Sequence, residues 1–128
     1  MFPARWRPAN PETKFTILPW PIGAEDRLLV LPPDRWREML VKLKARSLSD
    51  PRVAALEQEI AENAVQVTLD KVGRICLPEE LAKIARITSE AEFVGRLDKF
   101  EIWEPGARNA VRQQNKRLAA EVLKEIDL

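Results

Sequence analysis

The sequence predicts an α+β protein in which one small unit occurs twice. Short β-type runs come in pairs, first Phe15–Leu18 with Arg27–Leu31, then Glu92–Gly95 with Lys99–Trp103. Each pair leads into a long helix-compatible stretch that opens on proline, at Pro33 and at Pro105. The offset between matching segments stays at roughly 72 to 77 residues, the mark of an internal repeat.

The elements follow in order. Residues 1–11 are proline-rich, with room for one helical turn over Pro3–Arg7, and Phe2-Pro3-Ala4-Arg5-Trp6 matches Leu77-Pro78-Glu79-Glu80-Leu81. Phe15–Leu18 reads as a strand. Pro19–Gly23 reads as a loop, since prolines are excluded from the interior of a sheet. Arg27–Leu31 reads as a buried strand. A helix is expected from Pro33 to Arg46, with Trp36, Met39, Leu40 and Leu43 on one face. A second starts at Asp50-Pro51, an N-cap followed by a proline whose missing N–H costs nothing there, with Val53, Leu56 and Ile60 inward. Strands are expected at Val65–Leu69 and Arg74–Leu77, with Cys76 as a small buried filler, and then a short helix over Glu79–Ala85. Arg96-Leu97-Asp98 forms a tight turn between the last two strands. The last helix runs to about Ile126, with Val111, Leu118, Val122 and Ile126 along one line.

Composition bounds the function. The 128 residues carry 21 basic and 20 acidic side chains, a net charge of +1, so bulk attraction to nucleic acid is not the mechanism of any binding. There is no histidine and one cysteine, which excludes an internal disulfide and the usual zinc sites. It also removes imidazole, the commonest general base near neutral pH. Four glycines form no phosphate loop. No apolar run approaches the roughly 18 residues that span a bilayer, and the proline-broken start is no signal peptide. A cytoplasmic protein that is not an enzyme, with no cofactor, no small-molecule substrate and no membrane contact, is the expectation.

One segment carries chemistry. Between Val65–Leu69 and Ile75–Leu77 lies a turn with Asp70, Lys71, Gly73 and Arg74. Arg74 can donate two parallel hydrogen bonds to a phosphate or to the O6/N7 edge of guanine. Asp70 can fix that guanidinium or accept the turn's own N–H groups. Gly73 permits positive φ and close approach of a backbone. Lys71 adds a mobile charge. From spacing alone, a surface ion pair worth about 0–1 kcal/mol and no function is the simpler account. Arg108, Arg112 and Lys116 recur every fourth residue on the last helix and can track phosphates, although such stripes are usually just solvated. Arg5, Arg7 and Lys14 are similarly open. Trp36 and Trp103 read as packing residues.

The segment Asp70-Lys71-Val72-Gly73-Arg74-Ile75-Cys76-Leu77-Pro78, with Glu92–Gly95 and Asp98-Lys99-Phe100-Glu101-Ile102-Trp103, resembles the second half of the MraZ family, bacterial transcriptional regulators related to AbrB and SpoVT. The resemblance is close over residues 64–108 and looser over residues 1–46. It implies two AbrB-like swapped-hairpin β-barrel repeats in one chain, with a long helix after each. It divides the chain into an incomplete first repeat (1–34), connecting helices (35–63), a second repeat (64–107) and a C-terminal helix (108–128). It further implies a homo-oligomeric ring on double-stranded DNA, nucleoid-associated, that represses a cell-division and cell-wall gene cluster through repeated promoter elements. Asp70, Lys71, Gly73 and Arg74 would be the DNA-contacting turn. Met1 falls where Cys76 falls in the repeat, so the first half is expected to lack its own turn, through a misplaced start codon or through loss. A degenerate relative that assembles without binding DNA is the alternative. An AbrB-type antitoxin would need a toxin-wrapping tail, and residues after Pro105 read as an ordinary amphipathic helix.

Overall fold

A computed structural model describes residues 2–127. Its elements are a 3-10 turn (Ala4–Trp6), β1 (Phe15–Trp20), β2 (Arg27–Leu31), α1 (Pro33–Lys44), α2 (Pro51–Asn63), β3 (Val65–Val67), α3 (Glu79–Ile84), β4 (Glu92–Arg96), β5 (Lys99–Trp103) and α4 (Pro105–Glu125). The five strands make one antiparallel sheet in the order β3-β1-β2-β5-β4. The α+β expectation holds.

The central pairing is symmetric. Leu28 faces Ile102, Leu29 faces Glu101 and Val30 faces Phe100. At the offset of 72 residues, Leu28 corresponds to Phe100 and Val30 to Ile102, so the two hairpins mirror each other about the Leu29–Glu101 pair. The β3 strand, from the second half, pairs with β1 from the first.

Alternation along the strands gives the sheet two apolar faces. One carries Phe15, Ile17, Leu28, Val30, Phe100 and Ile102, and is closed by Phe2, Leu81 and Ala85. Phe2 meets Phe15, Phe93 and Phe100 edge-on at 4.7 to 5.3 Å, and Trp6 stacks on Phe100 at 4.8 Å. Gly95 is required beneath this knot, since a Cβ there would come 2.9 Å from the Trp6 ring. The other face carries Leu18, Leu29 and Leu31, covered by Ile60 of α2 and by Trp36, Met39 and Leu43 of α1.

Four local expectations need correction. The β1 strand continues through Pro19 to Trp20. The Trp20 carbonyl turns toward β2 to accept from Asp26, so the Pro19 nitrogen faces the other edge, where β3 has already ended opposite Ile17. Only Val65–Val67 of the expected Val65–Leu69 strand forms ladder bonds, and Arg74–Leu77 forms none. Those residues are held by side chains instead, with Leu69, Ile75 and Leu77 packed on the first face. Cys76, between two of these anchors, therefore points outward and is exposed. Leu56 is 38% exposed, because α2 buries only Val53 and Ile60.

The start of α4 is well specified. The Glu104 carboxylate caps it by accepting from the Gly106 and Ala107 amides at 3.0 and 2.7 Å, and Pro105 takes the first helical position. The remainder projects. Val111 is half-buried, while Leu118, Val122 and Ile126 are each about half exposed, so the expected apolar line has no cover among the described residues.

Phe2→Ala removes the ring that meets Phe15, Phe93 and Phe100, and is expected to cost about 3 to 5 kcal/mol in urea unfolding.

Candidate nucleic-acid interface

The turn is built on its own backbone. The Asp70 N–H donates to the Arg74 carbonyl (2.8 Å) and the Gly73 N–H to the Asp70 carbonyl (3.1 Å). The Asp70 side chain then does both things open to it. Oδ1 accepts from the Val72 and Arg74 amides at 3.0 and 2.8 Å, and Oδ2 accepts from Arg74 Nε at 3.0 Å. One carboxylate thus organises the loop and aims the guanidinium. With Nε engaged, the outer face of the Arg74 fork stays free, and the side chain is 66% exposed.

Gly73 is buried and has φ of +85°, a region costly for residues with a Cβ. A Cβ there would also run into the Arg7 guanidinium. Arg7 belongs to the N-terminal segment, and its Nε donates to the Phe2 carbonyl at 3.0 Å. The Phe2 N–H in turn donates to the Gly73 carbonyl at 2.8 Å. The turn is therefore docked on the segment that carries the aromatic knot. Lys71 is exposed in the same turn. Nothing in the sequence around Arg7 points to Gly73, 66 positions away.

The basic line on α4 is less uniform than its spacing suggests. Arg108 is drawn against Trp103, its guanidinium carbon 5.9 Å from the ring. Arg112 pairs with Glu92 at 3.1 Å. Lys116 is exposed and has no ion-pair partner among the described residues. Trp103 itself is buried, and Trp36 packs on the second face, as the sequence suggests. No helix is long and apolar enough to cross a membrane among the described residues.

The family model described as "MraZ protein, putative antitoxin-like" matches residues 60–124, just over half of the chain. The chain belongs to the MraZ family. The match takes in the Asp70–Arg74 turn, β4, β5 and most of α4. Among similar proteins, the transcriptional regulator MraZ of Pseudomonas putida F1 is 36% identical over 84 residues, 66% of this chain and 56% of the relative. That of Shewanella piezotolerans is 36% identical over 80 residues, 62% and 53% respectively. That of Shewanella amazonensis is 33% identical over 101 residues, 79% and 64%. The chain spans about half to two thirds of the length of these MraZ relatives, each a transcriptional regulator by name.

Hydrogen bonds to the charged form hold the Asp70 carboxyl below the usual carboxylate value. The Arg74 amide contributes most, desolvation opposes it, and the Arg74 side chain and Val72 amide add to the lowering. A depressed carboxylate stabilises the fold above its unfolded value of about 3.9 and loses that contribution as pH falls through the lower folded value. The Arg74 amide resonance is therefore expected to move on acidification with a midpoint below about 3.9. Gly73→Ala is expected to lower stability by about 1 to 2 kcal/mol in chemical denaturation and to shift the Arg7 Nε resonance.

Proposed function

We propose that this MraZ-family chain is a DNA-binding transcriptional regulator that reads DNA with the turn Asp70, Lys71, Gly73 and Arg74. The observation that carries the reading is an exposed guanidinium aimed by a carboxylate that is itself fixed by two backbone amides. Such an arrangement presents a bidentate donor with little rotamer freedom left to lose, which favours recognition of a guanine edge or a phosphate. Arg7, beside Gly73, and Lys71 add positive charge at the same place, so local charge offsets a near-neutral whole. Arg112 and Lys116 are secondary phosphate contacts in this reading, and Arg108 a third if it swings from Trp103.

A single turn makes few phosphate contacts. Assembly into a homo-oligomeric ring converts later contacts into intramolecular ones and raises avidity by roughly 10²–10⁴. The proposed organisation is a swapped-hairpin barrel made of an incomplete first repeat (1–34) and a second repeat (64–107), with connecting helices (35–63) and a C-terminal helix (108–128). Pairing of β3 with β1 across the two halves supports that exchange of strands. The proposed targets are repeated elements ahead of a cell-division and cell-wall gene cluster, repressed in the cytoplasm at the nucleoid. A second reading, an assembly protein without specific DNA binding, is favoured by the net charge of +1.

Arg74→Ala is expected to abolish the gel shift of a fragment from upstream of the protein's own gene, with the circular dichroism spectrum and oligomeric state unchanged. Wild-type binding should weaken steeply with salt as counterions are released. Retention of wild-type affinity by Arg74→Ala removes the turn as the reader. Absence of any sequence-dependent shift by the wild-type protein supports the second reading.

A further inference from the structure

We propose that a pocket between the second sheet face and α4 binds a small oxyanion ligand, a molecule bearing a phosphate or carboxylate, through Arg27, Arg96 and Arg108. Arg27 opens β2, Arg96 closes β4 and Arg108 lies near the start of α4. Together with Glu101, Trp103, Gln114 and Asn115 they line a pocket of about 660 Å³, a size common for metabolite sites.

The charge balance of this pocket is uneven. Three guanidinia face two carboxylates, Asp26 and Glu101, and both carboxylates are already engaged. Asp26 holds Arg27 at 2.7 Å. Glu101 is only 5% exposed, and its Oε1 accepts from the Trp103 indole at 2.8 Å. Its Oε2 lies 3.3 Å from Arg96 and 3.7 Å from Arg27. Arg108 is left over. Its Nε is sealed from solvent with no acceptor among the described residues, a costly state for a charged donor. The Arg27 and Arg108 guanidinium carbons lie 4.3 and 5.9 Å from the same indole ring. Two like charges gathered at one aromatic ring repel, and an oxyanion held between them by the guanidinium groups that line the pocket relieves the repulsion. The amides of Gln114 and Asn115 can then grip the remainder of a ligand.

The pocket is separate from the turn. Glu101 and Trp103 alternate with Phe100 and Ile102, so they face away from the side on which Phe2, Ile75 and Leu77 dock the turn. Only Arg108 is shared with the DNA reading, as a phosphate contact there, and a DNA duplex separates the two roles.

Inorganic phosphate titrated into the full chain, followed by the indole N–H resonance of Trp103, tests the proposal. The expected result is a saturable shift with a Kd on the order of 1 mM. Arg108→Gln should raise that Kd about tenfold. Arg96→Gln, at the exposed rim, should also raise it and serves if Arg108→Gln does not fold, while Arg74→Ala leaves it unchanged. A shift that never saturates, or one equal in wild type and in folded Arg108→Gln and Arg96→Gln proteins, overturns the proposal. A short DNA duplex provides the second arm. If the duplex moves the Trp103 signal where inorganic phosphate does not, and Arg108→Gln abolishes that response, the arginines belong to a nucleic-acid surface and the small-ligand proposal falls.

Discussion

The ring of Phe2 is wedged among three other phenylalanines, and the turn depends on that wedge. The backbone on either side of the same residue holds the turn: its N–H bonds the Gly73 carbonyl and its C=O receives Arg7 Nε. Apolar burial and loop geometry are thereby joined in one residue. Aromatic side chains of this size dominate core energetics, so the loop inherits stability it could not generate from its own hydrogen bonds. The exposed ion pair between Asp70 and Arg74 adds little stability, and its value lies in direction.

Much of this was legible from the residues. The paired strands, proline-led helices and repeat offset come from period and punctuation, which are local signals. Asp50 and Pro51 announce the start of α2 in the same way. The turn was legible too, because Asp, Gly and Arg at those spacings have few other backbone solutions. What escaped was long-range. Pro19 sits in a strand because its neighbour β3 is short, a fact that no feature of residues 15–20 contains. The Ile75–Leu77 run has the composition of a strand but no partner backbone, so its apolar residues dock by side chain and Cys76 turns out to solvent. The contact between Arg7 and Gly73 and the Arg27–Glu101–Arg96 group unite residues from opposite halves of the chain.

Repetition also explains why the second face of the sheet is unequal in its two halves. At the centre of the symmetric pairing, Leu29 in the first hairpin is matched by Glu101 in the second. The leucine lies in an apolar cluster under α1 and α2. The glutamate cannot, and gathers Arg27, Arg96 and the Trp103 indole to satisfy its charge. A buried carboxylate requires such partners, and replacing one member of the group exposes the rest to the cost of unpaired burial. One substitution in a duplicated framework thus separates an apolar half from a polar half.

The bond from the Phe2 amide to the Gly73 carbonyl has a practical consequence. That proton is shielded from solvent only while the loop is seated on the N-terminal segment. Its rate of deuterium uptake is thus an internal gauge of how often the loop lifts away, readable in the free protein with no nucleic acid present.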